Sequence, residues 1–137
     1  MDKADRLIPL LLMLLLALAA AGCKSLAERR KDAALEIALS SYRTAMRWGD
    51  WDGLLSLRHP QAPPLSEDVH LDDVRVVSYE IRQPPVPIKK GRVGQVAEIR
   101  YVMTDEQRVR KLYDKQEWRY DAAANQWRLY SPLPEFR

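Results

Sequence analysis

The sequence predicts an α+β domain, in which a long helix and a short helix pack on a curved antiparallel sheet of about four strands. Between Leu35 and Met46, apolar residues recur at every third or fourth position, which is typical of one face of a helix. Between Val93 and Met103 they largely alternate with polar residues, which is typical of a half-buried strand. The helical patterns all precede the strand patterns, and a chain of 137 residues has room for one core. A single domain with its helices on one face of the sheet is therefore expected.

Two helices are predicted before residue 60. The first covers residues 24–47, and its charged beginning, residues 28–32, forms either a solvated extension or a tether. Gly49 is expected to end it in a left-handed conformation, and Asp50 to cap the second helix. That short helix carries three leucines and ends before Pro60, because the residue before a proline avoids helical angles. The leucines are Leu54, Leu55 and Leu57.

The second half of the chain is predicted to form the sheet. Val77, Tyr79 and Ile81 fall on one face of the first strand, residues 74–81, and Val74 and Val76 fall on the other, so a bulge or a switch of parity is expected. Residues 83–87 contain three prolines and must form a connection or an edge of the sheet. The other strands are predicted at 93–103, 108–120 and 126–131, with turns at 104–107 and 121–125.

Composition excludes several classes of function. A net charge of +3, from 22 Lys and Arg against 19 Asp and Glu, is too small to indicate nucleic-acid binding. One cysteine excludes an internal disulfide, and with two histidines it leaves no zinc-type cluster. No glycine-rich phosphate loop and no Gly-x-Ser-x-Gly motif occurs. The sequence therefore predicts no catalytic residue, no cofactor and no metal site.

Residues 7–22 carry no charged side chain and contain Pro9. A helix that crosses a bilayer needs roughly 20 apolar residues, so this run fits the apolar region of a secretory signal better. The run ends in a segment that resembles the lipobox of bacterial lipoproteins, Leu18-Ala19-Ala20-Ala21-Gly22-Cys23. The resemblance implies cleavage between Gly22 and Cys23, diacylglycerol on the Cys23 thiol and a fatty acid such as palmitate on the new amino terminus. Ala20 is the one departure, since leucine is commoner there.

These features predict three segments: a signal peptide at 1–22, a lipidated N-terminus and tether at 23–32, and a domain at 33–137. Two or more acyl chains on Cys23 would hold the protein firmly at a membrane. Lys24 follows the cysteine, in place of the Asp that retains enterobacterial lipoproteins at the inner membrane. By that analogy, we expect the protein in the outer membrane, facing the periplasm.

The segment from Tyr42 to Pro60 carries a second resemblance. A helix ends in a Gly-Asp-aromatic-Asp step, Gly49-Asp50-Trp51-Asp52, and a leucine-bearing helix and His59-Pro60 follow. Together with the order of elements over residues 33–131, this is similar to the NTF2-like (cystatin-like cone) superfamily. The resemblance implies helices that pack into a cone formed by the curved sheet.

Within such a cone, the tryptophans are the first candidates for a binding site. They either line a pocket for an apolar or ring-bearing ligand or pack in the core. The four are Trp48, Trp51, Trp118 and Trp127. Some NTF2-like enzymes use an Asp or an Asp–His pair in the cone, but Asp50, Asp52 and His59 match no enzyme motif, and Asp50 is explained as a helix cap.

The last hairpin is rich in basic residues. They either face lipid phosphates or an acidic partner, or form cross-strand pairs on a solvated face. The basic residues are Arg108, Arg110, Lys111, Lys115, Arg119 and Arg128, and the acidic ones among them are Asp105, Glu106, Asp114 and Glu117.

The sequence thus favours a non-enzymatic binding or assembly module of the cell envelope, with the membrane and an envelope protein as its expected partners. The alternatives are a small isomerase- or dehydratase-like enzyme with an acid near Asp50, and a carrier of an apolar ligand. An enclosed pocket with an inward-facing carboxylate would favour the enzyme, whereas a cone filled by its own Trp and Leu side chains would favour the module. The sequence leaves the oligomeric state open.

Overall fold

The computed structural model describes residues 4–66 and 70–137. The chain forms two compact units, Met1–Ala33 and Ala34–Arg137. Helix α1 covers Ala4–Trp48, so the predicted start at residue 24 is wrong. Residues 7–22 are mostly leucine and alanine, which favour helix strongly, and this explains the earlier start. A search of the described residues finds no helix with the length and apolar character needed to span a bilayer.

The second unit has an α+β architecture, as predicted. After α1 come the short helix α2, Trp51–Ser56, and a single 3₁₀ turn, Leu71–Asp73. Four strands follow in an open sheet of order β1-β2-β3-β4, in which every neighbouring pair is antiparallel. The strands are β1 Val74–Lys89, β2 Arg92–Met103, β3 Arg110–Asp121 and β4 Gln126–Leu129.

The junction between the helices confirms the local prediction. Gly49 has a φ of 67°, and the Asp50 side chain accepts a hydrogen bond from the Gly53 N–H at 3.0 Å. A Cβ atom on Gly53 would lie 2.2 Å from Oδ2 of Asp50, so any other residue there would displace the capping side chain. Leu54 is fully buried and packs the short helix against the core.

Strand β1 contains the predicted bulge and forms an edge of the sheet. The register shifts between Val76 and Ser78, which leaves Val77 unpaired and 48% exposed. Val77 and Tyr79 are two residues apart and would share a face of a regular strand, and the extra residue of the bulge is the reason that they do not. The proline segment remains within β1, where further register shifts accompany it.

The core lies between one face of the sheet and the C-terminal part of α1. We call this side of the sheet the inner face. Tyr42 and Met46 of α1 pack there with Ile99 and Trp118, and all four are almost completely buried. The C-terminal tail adds Leu133 and Phe136, and the Phe136 ring contacts Tyr101 edge-to-face at 4.9 Å. Leu57 and His59 exchange backbone hydrogen bonds with Leu129, which extends the sheet beyond β4.

Candidate functional site

A buried polar network occupies the inner face of the sheet. Its centre is Asp114 on β3, which is 3% exposed. Oδ2 of Asp114 accepts a hydrogen bond from the Tyr42 hydroxyl at 2.9 Å and another from Nε2 of Gln116 at 2.7 Å. One carboxylate oxygen therefore joins α1 to β3.

Gln116 extends the network across the sheet. Its Nε2 also donates to the Tyr79 hydroxyl on β1 at 2.7 Å. Its Oε1 accepts from Nε1 of Trp118 at 3.0 Å and from Nε2 of Gln95 at 3.2 Å. The amide of Gln116 is thereby satisfied at both ends, as a buried polar group requires.

Strand parity explains why these polar groups face inward. Side chains alternate across a strand, so Asp114 and Gln116 share a face with Leu112 and Trp118. Gln95 lies directly opposite Gln116 in the register of β2 and β3. Asp114 was expected in an ion pair on a solvated face, and that prediction is wrong. The sequence did contain a signal for the buried position, since Asp114 lies an even number of residues from Leu112 and Trp118 and so shares their face of the strand.

The pKa values of three groups in the network, Asp114, Tyr42 and Tyr79, are raised. Burial raises the pKa of Asp114 to about 6, although the hydrogen bonds from Gln116 and Tyr42 act in the opposite direction. Burial, followed by the charge of Asp114, raises the pKa of Tyr42 well above its ordinary value. A carboxyl group with a near-neutral pKa is able to transfer protons. Here it is closed off by Tyr42, so proton transfer to a substrate would require the core to open.

The tryptophans predicted as pocket residues lie in different surroundings. Trp118 is fully buried, and Trp127 is buried with its ring centroid 5.4 Å from that of Tyr120. Trp51 is half-buried against Phe136. Trp48 is 84% exposed at the end of α1. Three of the rings thus pack against the core, although Trp127 also borders a surface cleft of the second unit. Trp48 lines two other clefts on that surface.

The polar candidates of the sequence have local contacts. Asp50 caps α2, and Asp52 is exposed in its first turn. Nδ1 of His59 accepts a hydrogen bond from the Gln61 N–H at 3.1 Å, and its ring packs edge-to-face on Tyr130. Across the residues described here, no three His, Cys, Asp or Glu side chains are placed to hold a metal ion.

The outer face of the sheet carries most of the basic residues of the last hairpin. Glu117 pairs with Arg119 at 2.8 Å and, across to β2, with Arg92 at 3.7 Å. The ammonium of Lys111 lies 5.6 Å from the centre of the exposed Tyr113 ring. Cross-strand pairing is therefore confirmed for Glu117.

Glu98 is a buried acid on this same outer face. Its side chain is 4% exposed and accepts from Arg82 at 3.0 Å and from Arg100 at 3.2 Å. Burial alone would raise the pKa of Glu98, but the hydrogen bonds from the two arginines outweigh it and lower the pKa. The alternation of β2 indicated that Glu98 faces away from the core, but not that two arginines would cover it.

The side chain of Cys23, on which lipidation is predicted, is not among those that the structure describes, and nothing in the structure tests the predicted cleavage after Gly22. A scan against models of protein families and a search of curated proteins both found no match.

Proposed function

We propose that this protein is a cell-envelope lipoprotein, anchored through acyl chains on Cys23 in the outer membrane and facing the periplasm. Its NTF2-like domain acts as a non-enzymatic binding or assembly module. Support for the anchor comes from the uncharged run at 7–22, which ends in small residues and the only cysteine of the chain. Support for the NTF2-like assignment comes from the order of long helix, short helix and four-stranded antiparallel sheet.

The observation that carries the non-enzymatic role is the closure of Asp114. An acid that acts on a substrate must come within hydrogen-bond reach of it. Asp114 is the inward-facing carboxylate that an enzyme of this kind needs, but Tyr42 and Gln116 occupy its Oδ2, and Trp118 is packed beside them. A carrier of an apolar ligand would need this interior to be empty, and side chains fill it. The domain is therefore better suited to recognition at its surface.

The anchor is tested by labelling cells with a radioactive fatty acid. Wild-type protein should carry label, and Cys23→Ala should carry none and accumulate as the uncleaved precursor. Ser25→Ala is a matched control, since it changes a neighbouring residue and leaves the thiol. Label that persists on Cys23→Ala would contradict lipidation at this position.

The non-enzymatic role is tested by complementation of a deletion strain with Asp114→Asn. The amide keeps an acceptor for Tyr42 and Gln116 but cannot act as a general base. We expect this variant, once shown to be folded and acylated, to restore the phenotype. A folded, acylated variant that fails to complement would favour an enzyme whose acid is Asp114.

A further inference from the structure

Two arginines of α1 line a cavity of about 310 Å³ beside strand β1. Arg43 and Arg47 are four residues apart, which places them on one side of the helix. The other lining residues are Thr44, Trp48 and Tyr79. We call this space the Arg43 cleft.

The charges of the cleft are not neutralised within the described part of the chain. Arg43 and Arg47 are exposed, and neither has a carboxylate oxygen of a described residue within 4.0 Å. The arginines of the sheet differ, since Arg82, Arg92 and Arg119 all pair with glutamates. None of the five residues that line the cleft is acidic. The cleft is therefore electropositive.

The adjoining cavity has a different character. It measures about 320 Å³ and shares Arg43, but its lining also includes Glu36 and the apolar residues Leu39 and Ile81. A glutamate repels an anion, so an anionic group is better accommodated on the Arg47 side of Arg43.

Tyr79 of β1 lines the same cleft as a neutral residue. The side chain is 8% exposed, and its hydroxyl oxygen accepts from Nε2 of Gln116 at 2.7 Å. The hydroxyl therefore belongs to the buried polar network of the inner face, where Gln95 is a second hydrogen-bonding neighbour. Burial raises the pKa of Tyr79, while the nearby charge of Arg43 acts weakly in the opposite direction. The phenol therefore stays protonated at physiological pH and adds no negative charge beside the two arginines.

Trp48 adds an apolar wall. An indole that is 84% exposed is unusual on a protein surface, because burying a ring of this size is strongly favourable. At the cleft, the ring would cover the organic part of a ligand while the polar groups hold its anionic end.

From these contacts we infer that the Arg43 cleft is a binding site for a phosphate group, carried either by a small soluble ester or by a lipid headgroup. The guanidinium groups of Arg43 and Arg47 hold the phosphate, Tyr79 lines the cleft beside them, and Trp48 covers the attached organic group. Guanidinium groups bind phosphate through paired hydrogen bonds, and two positive charges match a phosphate monoester, with nearly two negative charges at neutral pH, better than the single charge of a carboxylate. The volume is within the range of small-ligand sites. This inference rests on the proposal that the domain is a binding module, and it names the chemistry of the ligand.

The test is calorimetric titration of the full chain in neutral detergent with phenyl phosphate. We expect saturable binding that weakens by about tenfold or more in Arg43→Gln/Arg47→Gln. Arg75→Gln/Arg108→Gln is the matched control: it removes the same charge from two exposed arginines without an ion pair in the described residues, and should weaken binding less than about twofold. Because Arg47 also stabilises the C-terminal end of α1, Arg43→Lys/Arg47→Lys is made as well. It keeps both charges and should weaken binding severalfold through loss of the paired hydrogen bonds.

Two further probes identify the ligand. Benzoate has the same ring with a carboxylate, and we expect it to bind more weakly than phenyl phosphate. Detergent micelles that contain phosphatidic acid replace the soluble ester in a second titration. Binding to both phosphate probes supports a soluble ester, whereas binding to phosphatidic acid alone supports a lipid headgroup.

Three results would overturn the inference: no saturable binding of either phosphate probe, equal weakening in the cleft variant and its control, or benzoate bound as tightly as phenyl phosphate. The titration does not depend on the acyl anchor. If the protein is acylated but binds neither phosphate probe, the proposed site is wrong and the anchor stands. If the protein is not acylated in cells but binds phenyl phosphate, the anchor is wrong and the site stands.

Discussion

Asp114 should make the stability of the protein depend on pH in a direction opposite to that of most carboxylates. Its pKa rises from an ordinary 3.8 to about 6 in the folded state, because the carboxyl group is buried between α1 and the sheet. The folded protein therefore holds the Asp114 proton more tightly than the unfolded chain does. As the pH falls from about 6 to about 4, the folded state gains stability relative to the unfolded state, and that gain is lost again as the pH rises. About two pH units at roughly 1.4 kcal/mol each correspond to about 3 kcal/mol.

Asp114→Asn removes this titration while keeping the shape of the side chain. The assay is denaturant unfolding of the full-length wild type and variant in neutral detergent, at a series of pH values between about 7 and about 4. The quantity of interest is the difference in the free energy of unfolding between the two proteins. That difference should shift in favour of the wild type by about 3 kcal/mol as the pH is lowered.

Glu98→Gln is a control in which the pH dependence of the free energy of unfolding should have the opposite sign. Arg82 and Arg100 lower the pKa of Glu98, so its contribution to stability is present at neutral pH and is lost as the pH falls through its folded-state pKa. A wild-type advantage over Asp114→Asn that stays constant from neutral to acidic pH, or that decreases, would refute the reasoning. It would mean that the carboxyl group is not desolvated as its burial indicates.

Substitutions at four other positions test the helix junction and the network. Gly49→Val should lower the free energy of unfolding by about 1–2 kcal/mol, because φ is positive there, and an unchanged melting temperature would contradict the left-handed junction. Asp50→Ala should cost about 0.5–2 kcal/mol, and Asp50→Asn should be nearly silent in both stability and complementation. Gly53→Ala should destabilise the wild type but not Asp50→Ala, since the new Cβ would lie 2.2 Å from the Asp50 carboxylate; a double-mutant cycle with no coupling would exclude this contact. Tyr42→Phe should cost about 1–3 kcal/mol, most of it at neutral pH where Asp114 is ionised, and equal losses at acidic and neutral pH would argue against the hydrogen bond between them.

The features that could be predicted from the sequence depend on neighbours along the chain. The turn at Gly49, the cap at Asp50 and the bulge in β1 each follow from a few adjacent residues, and all three are confirmed. Residues 83–87, with their three prolines, were compatible with either a connection or an edge of the sheet. They lie in β1, which is an edge strand.

The candidate site depends instead on contacts between distant segments. Asp114 was assigned to a solvated face because charged residues surround it in sequence, although its parity with Trp118 indicated the core. The hydrogen bond from Tyr42 spans 72 residues, and the packing of Phe136 against Tyr101 depends on where the tail returns to the sheet. No periodicity in the sequence encodes such pairings. The Arg43 cleft likewise needs α1 and β1 to meet before its two arginines and Tyr79 come together.

The prolines of β1 have a consequence for how copies of this protein behave beside one another. An exposed sheet edge is a template on which another chain can add a strand, and the hazard grows when molecules are crowded in one plane, as anchored proteins are. Pro84, Pro85 and Pro87 have no N–H to offer such a strand, and the register shifts on either side interrupt the ladder that it would have to match. Along this stretch, β1 is a poor seed for aggregation, and the sheet can end there without a protecting partner.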